Sequence, residues 1–228
     1  MILEHKVDGI ILSVAGITED LENLLMENHF PFVVMGEMEH KIEGAFWVDM
    51  DNEQGSRAAV VHLLEQGYKH PVLFVENRIN LFEKKRILGF EKMMTEKKIF
   101  WNEDDIVECG SEKEKIEVNI KRFLKGNHQY DSIICTNNIV AYHTLCQLKK
   151  GGQKIPQDVG IITFDNYPLS EYMEPALSVV NVDTYRMGEQ AAILLFDKIK
   201  NQHKEYENTL ISTEIIQRES TQKGKEVR

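Results

Sequence analysis

The chain has 228 residues, one large domain or two small lobes at about 150 residues per domain, and is long enough to bury a core without disulfides or a structural metal. Hydrophobic residues make up 42% and charged residues 28%, which excludes a disordered or collagenous chain. The 27 Lys+Arg against 37 Asp+Glu leave a net charge of −10, and no stretch is basic enough to track a phosphate backbone, so these residues alone are not expected to hold DNA.

Short β-branched runs alternate with amphipathic stretches along the whole chain, which predicts an α/β fold. Val7 to Leu12 reads as a buried strand, followed by Thr18 as N-cap and Leu21, Leu24 and Leu25 at helical spacing. Phe32 to Met35 is the next strand. Asn52 or Ser56 opens a helix that Gly67 can close, and Val72 to Val75 follows as a strand before a second helix running to Lys98. Ser111 and Glu114 have capping-box spacing ahead of Ile116, Ile120, Phe123 and Leu124. Ile133 to Cys135 is a strand, a helix runs from Asn138 to near Gly151, and Gly160 to Phe164 is a strand after Pro156. Ser178 to Asn181, a helix from Thr184 to Lys200, and Thr209 to Ile216 complete the rhythm. Strands joined through helices are expected to run parallel.

The longest apolar stretch, Gly9 to Ile17, is far short of the ~20 residues of a membrane helix, so no membrane partner is expected. Acidic Glu4 stands where a secretory signal would build its apolar segment, and the three cysteines show no C-x-x-C pairing; both point to a cytoplasmic protein with reduced thiols. The phosphate loop, the dinucleotide glycine motif, H-E-x-x-H and G-x-S-x-G are all missing, so no catalytic residue, enzyme activity or cofactor is expected. Asp49 to Gly55 resembles a calcium loop, but its glycine falls one position late and Val60 replaces the bidentate Glu, which leaves a polar strand exit and helix N-cap. Cys135, His143 and Cys146 lack a fourth ligand and read as core packing, so no metal is expected either. His62 and His70 flank a helix terminus, where a cation or surface contact is the reading.

Polar residues gather where strands end: Glu76 and Asn77 after Val75, Thr136, Asn137 and Asn138 after Cys135, Asp165 and Asn166 after Phe164, Asn181 and Asp183 after Val180. Each alone suits a turn or cap. Four such ends in a parallel sheet suit a ligand crevice. Carboxylate and amide oxygens accept from hydroxyls, Arg donates, and rings such as Phe164 and Tyr167 can cover a sugar's C–H face, so a neutral polyhydroxylated small molecule fits the set, with no chemistry performed on it.

Val7-Asp8-Gly9-Ile10-Ile11-Leu12, Val48-Asp49-Met50-Asp51-Asn52, the segment His62 to His70, Arg86-Ile87-Leu88-Gly89-Phe90, Asn137-Asn138-Ile139-Val140-Ala141, Ile155-Pro156-Gln157-Asp158-Val159-Gly160, Phe164-Asp165-Asn166, Met187-Gly188 and Arg218-Glu219-Ser220-Thr221 follow one another in an order and spacing that resembles the LacI/GalR transcriptional regulators over nearly the whole chain. Pro31 to Gly36 followed by Val48 to Asn52 is most similar to the maltose-type regulators of Gram-positive bacteria.

The resemblance implies a periplasmic-binding-protein-like type I fold of two parallel-sheet α/β lobes joined by three crossings near Met50, Asp183 and Ser212: residues 1–50 and 184–211 in an N-terminal lobe, 51–183 and 212–228 in a C-terminal lobe. It implies effector contacts at Arg86, Asn137 and Asp165, with Phe82 and Tyr167 nearby, where Asn138 and Asn166 replace the family's second acidic residue and the segment Glu76 to Phe82 lacks its glycines. Val7 to Leu12 resembles an internal strand of the first lobe, so that lobe is expected to be incomplete and the helix-turn-helix module to lie outside these residues. The implied function is the sugar-responsive effector-binding and dimerisation domain of a repressor, a homodimer that takes a maltose-like effector and meets operator DNA only through the module not included. A transporter's sugar-binding protein of the same fold is the alternative.

Overall fold

The computed structural model describes residues 6–42, 44–201 and 206–223, and in chain order its main elements are β1 (Ile10–Ser13), α1 (Glu19–Glu27), β2 (Phe32–Met35), β3 (Trp47–Met50), α2 (Asn52–Glu65), β4 (Pro71–Val75), α3 (Leu81–Glu96), β5 (Ile106–Glu108), α4 (Lys113–Lys125), β6 (Ser132–Cys135), α5 (Asn138–Lys150), β7 (Gly160–Phe164), α6 (Leu169–Tyr172), β8 (Ser178–Asn181), α7 (Thr184–Lys200), β9 (Thr209–Ile211) and β10 (Glu214–Ile216). Residues 1–51 and 183–212 form one compact unit, and residues 52–182 and 213–228 form a second. The acidic start read at Glu4 lies outside the described residues. Among the described residues no helix is long and apolar enough to cross a membrane.

The smaller unit carries a four-stranded sheet in the order β1-β2-β3-β9, parallel throughout. Leu25, Phe32, Val34 and Ile42 pack on one side, and Val33, Val48, Ala191 and Ile211 on the other; the alternation of Val33 and Val34 between the two cores is the period-2 pleat of a strand covered on both faces. Thr18 caps α1 by accepting the Leu21 amide, and Glu19 and Asp20 sit at the positive end of the helix.

In the larger unit the sheet runs β10-β8-β7-β6-β4-β5. Two buried clusters sandwich it, one built on Phe74, Ile133, Ile161 and Leu145, the other on Leu63, Leu73, Ile134, Ile162 and Phe90. Those alternating strand residues explain why its strands read as unbroken apolar runs.

Several expectations need correction. Thr209 to Ile216 is two strands, split at Ser212 and Thr213, with β9 in one unit and β10 in the other. β10 pairs antiparallel with β8: the chain between them, α7 and β9, belongs to the other unit, so no crossover helix packed on this sheet imposes a parallel sense. Ser111 does not build a capping box: burial of Ile116, Ile120 and Phe123 sets the helix start at Lys113, so the N-cap falls on Glu112, whose side chain makes no cap bond. His62 is no surface cation. It is buried, its Nε2 lies 2.8 Å from the Thr221 hydroxyl, and burial lowers its pKa, which keeps it neutral.

Candidate functional site

β8, β7, β6 and β4 are neighbours in that order and parallel, so their carboxyl ends lie along one edge of the larger unit's sheet. In open α/β sheets that edge is where ligands bind. After β4 the chain turns at Asn77, whose Oδ1 accepts the amides of Ile79 and Asn80 and leads into α3. Beyond β7, Asp165 adopts φ +69°, the left-handed region that Asp tolerates better than most side chains. Such outliers cluster at ligand sites, and here a short polar residue turns the chain sharply at the sheet edge.

Arg86 is the centre of the arrangement. Lying one and a half turns into α3, it is only 4% exposed. Its Nε–H donates to Asn52 Oδ1 at 2.9 Å, its Nη1 donates to the Thr136 carbonyl, and its guanidinium carbon lies 4.0 Å from the Phe164 ring centroid and 5.2 Å from that of Phe82. A planar cation over aromatic faces gains electrostatically and keeps its donors in the ring plane for other partners. Asp165 is close enough to feel that charge: burial raises its carboxyl above the usual range, and Arg86 pulls it back.

Glu83 lies one turn before Arg86 on the same helix face and is fully buried. Its Oε1 accepts from the Thr136 hydroxyl at 2.8 Å and from the Glu76 amide at 3.1 Å, while Oε2 has no hydrogen-bond partner. Burial pushes its carboxyl up to about 6 against the opposing pull of Arg86. Thr136 belongs to the polar strand ends that the sequence marks, whereas neither Glu83 nor Asn52 stands out as a site residue in the sequence. The available signal was Glu83 itself, a carboxylate on the apolar stripe of a helix three residues before the Arg.

The other expected positions divide. Asn137 caps α5 by accepting the Val140 amide, and its Nδ2 donates to Glu76 Oε2, which ties the β6 end to the β4 end. Phe82 comes together with Arg86, while Tyr167 stands 63% exposed on the loop after Asp165. Asn138 has a structural partner that accounts for its amide, since its Nδ2 donates to the Phe164 carbonyl, a bond no carboxylate could donate; Asn166 Oδ1 accepts from Arg218, a bond an aspartate would make equally well. Arg218 also reaches Glu171 and the Leu177 carbonyl, so it holds the loop that carries Tyr167.

Among the described residues no group of three or more His, Cys, Asp or Glu could hold a metal ion. Cys135 is buried in the core with its thiol pushed up to about 12 by burial, Cys146 is exposed, and His143 faces Glu117.

Residues 60–221 match the family model of the periplasmic binding protein-like domain. The chain is 27% identical over 221 residues to the HTH-type transcriptional repressor PurR of Vibrio cholerae serotype O1 (strain M66-2), an alignment that covers 96% of this chain and 66% of that protein, so the chain spans about two thirds of that relative's length. Its fold is similar to a LacI family transcriptional regulator from Enterococcus faecium solved with bound ribose (TM-score 0.82, 24% identity, 95% of this chain and 80% of that one) and to the transcriptional regulator CelR in its cellobiose complex (TM-score 0.84, 24% identity, 94% and 66%). A match of that extent makes the chain a member of the periplasmic binding protein-like domain family.

Proposed function

We propose that this chain is the sugar-responsive effector domain of a LacI-type repressor and that its effector, a neutral polyhydroxylated molecule, binds at the carboxyl ends of β4, β6, β7 and β8. The observation that carries this reading is a buried arginine held over the Phe164 ring, with the Asp165 carboxyl within its field, at the sheet edge where such folds bind ligands. Asp165 accepts two hydroxyls, Arg86 donates, Asn137 offers the amide proton that Glu76 leaves unused, and Phe82 and Tyr167 cover a C–H face. The ribose and cellobiose held by the two similar regulators support a sugar over other small molecules, and a maltose-like disaccharide is the specific candidate from the sequence. Operator contact belongs to a basic helix-turn-helix segment outside these residues, which agrees with the net charge of −10, and the working unit is a cytoplasmic homodimer that mirrors a two-fold operator.

Calorimetric titration of ribose, cellobiose and maltose into the wild type and Asp165→Ala tests the reading. Charge-assisted bonds contribute about 1.5–3 kcal/mol each, so losing the carboxylate should weaken binding at least ~10-fold. Unchanged affinity in a folded variant would reduce Asp165 to a turn residue.

A further inference from the structure

Glu83 is a carboxylate placed where burial is complete, yet only one of its two oxygens has partners. A buried polar atom without a partner is uncommon in folded proteins and calls for an explanation beyond packing. Packing gives none here, because a glutamine would keep the Oε1 acceptor for Thr136 and Glu76 without burying a charge. What only the carboxylate supplies is negative charge beside Arg86. From that we propose that Glu83 is a positioning residue of the effector site, fixing Thr136 by its hydroxyl and holding the Arg86 guanidinium, through the Thr136 carbonyl and through its own charge, in the pose over Phe164 that effector meets.

The chain of contacts is continuous. The Thr136 hydroxyl donates to Glu83, and the carbonyl of the same residue accepts from Arg86, so one residue at the end of β6 is gripped from both sides by residues one turn apart on α3. The Glu76 amide, at the end of β4, donates to the same Glu83 oxygen, and the Glu76 carboxylate takes Asn137. Glu83 therefore joins two of the four polar strand ends, those of β4 and β6, and contacts no proposed ligand position itself. The charged and titratable groups around it are Arg86 on its own helix, Glu76 from β4, and the Cys109 thiol just beyond β5, which is held protonated by burial. Asp165, beyond β7, meets the same Arg86. Protonation of Glu83 removes the charge that faces Arg86, so Arg86 should loosen and effector affinity should fall in mildly acidic solution.

The proposal rests on the effector site described above, and its test separates the two. In the first arm, no sugar is added: the Nε–H resonance of Arg86, assigned by its loss in Arg86→Lys, is followed from pH 7.5 to 5.0 in wild type, Glu83→Gln and Thr136→Val. A single slowly exchanging signal that shifts with pH in the wild type, and is broadened and pH-independent in Glu83→Gln, is the expected result. A wild-type signal retained in Glu83→Gln, or a pH shift that persists there through Asp165, overturns the proposal. The second arm compares thermal melting with ribose, cellobiose and maltose titrations at pH 7.5. Glu83→Gln should melt at or above the wild-type temperature and yet bind at least tenfold more weakly; a variant that loses both stability and affinity, or keeps full affinity, shows a merely structural residue. If no sugar binds the wild type, the effector reading fails while the Arg86 signal still decides the role of Glu83.

Discussion

Gly89, the glycine of the R-x-x-G-F motif, lies where α3 meets α2 with no room for a side chain. A Cβ there would collide with the Glu53 carbonyl oxygen and stand 2.9 Å from Ser56 Cβ. The obstacle is helix backbone, which cannot swing aside, so Gly89→Ala should destabilise by about 2–3 kcal/mol, as overpacked cores do, and urea unfolding will measure it. Two buried titratable residues of the larger unit set opposite pH dependences. His62 has its pKa lowered from 6.5, so the stability it contributes is present above that value and is lost as pH falls through its folded pKa. Glu83 is raised from 4.5 to about 6, so the stability tied to its neutral form is present below 4.5 and lost as pH rises through 6. That shift corresponds to roughly 2 kcal/mol of destabilisation at neutral pH. Melting curves of Glu83→Gln should accordingly lie above the wild type at pH 7.5 and converge with it near pH 4.5. A residue that costs stability at working pH is the kind that function keeps.

At the scale of elements, two caps that look alike in sequence behave differently. Asn137 closes the N-terminus of α5 and bonds Glu76, whereas Ser111 precedes the helix it was expected to open. Asn137→Ala should cost about 1–2 kcal/mol, and Ser111→Ala should stay within about 0.5 kcal/mol, a contrast that denaturant midpoints resolve. The cause of the misreading also limits what periodicity can give. Strands buried on both faces, such as Ile133–Cys135 and Gly160–Phe164, announce themselves because their residues are nearly all apolar or small, and helices follow from their stripes. Three-residue strands do not: β5 and β10 are defined by pairing with β4 and β8, partners far off in the sequence. The same reasoning covers the site. Arg86, Asp165 and Asn137 are legible because they end strands or sit in a motif, while Glu83 hides on an apolar stripe and Asn52 gives, in its local pattern, a polar strand exit and helix opener with no sign of its arginine partner. Their role arises from contacts across 34 to 53 residues of chain, which no local pattern encodes.

For the molecule as a whole, the α/β rhythm gave the architecture, and in the structure the chain passes between its two compact units after Asp51, Val182 and Ser212. Association is the property left to test at this scale. The smaller unit leaves Ile11, Tyr185, Ile193, Phe196 and Leu210 between 38% and 82% exposed, and Phe196 follows Tyr185 by three helical turns, so the two lie on one face of α7. Single exposed apolar residues are ordinary on a monomer, but aromatic side chains aligned along a 17-residue helix form a surface that a second copy can bury. The net charge of −10 opposes non-specific clustering, so association through this face should give a defined dimer rather than a ladder of aggregates. Light scattering should return twice the mass of one chain at high concentration, and Phe196→Asp should return a single mass with an unchanged melting temperature, because a side chain 65% exposed contributes little to the fold it leaves. A wild type that stays monomeric at every concentration would remove the dimer from the proposed function and leave the effector site standing.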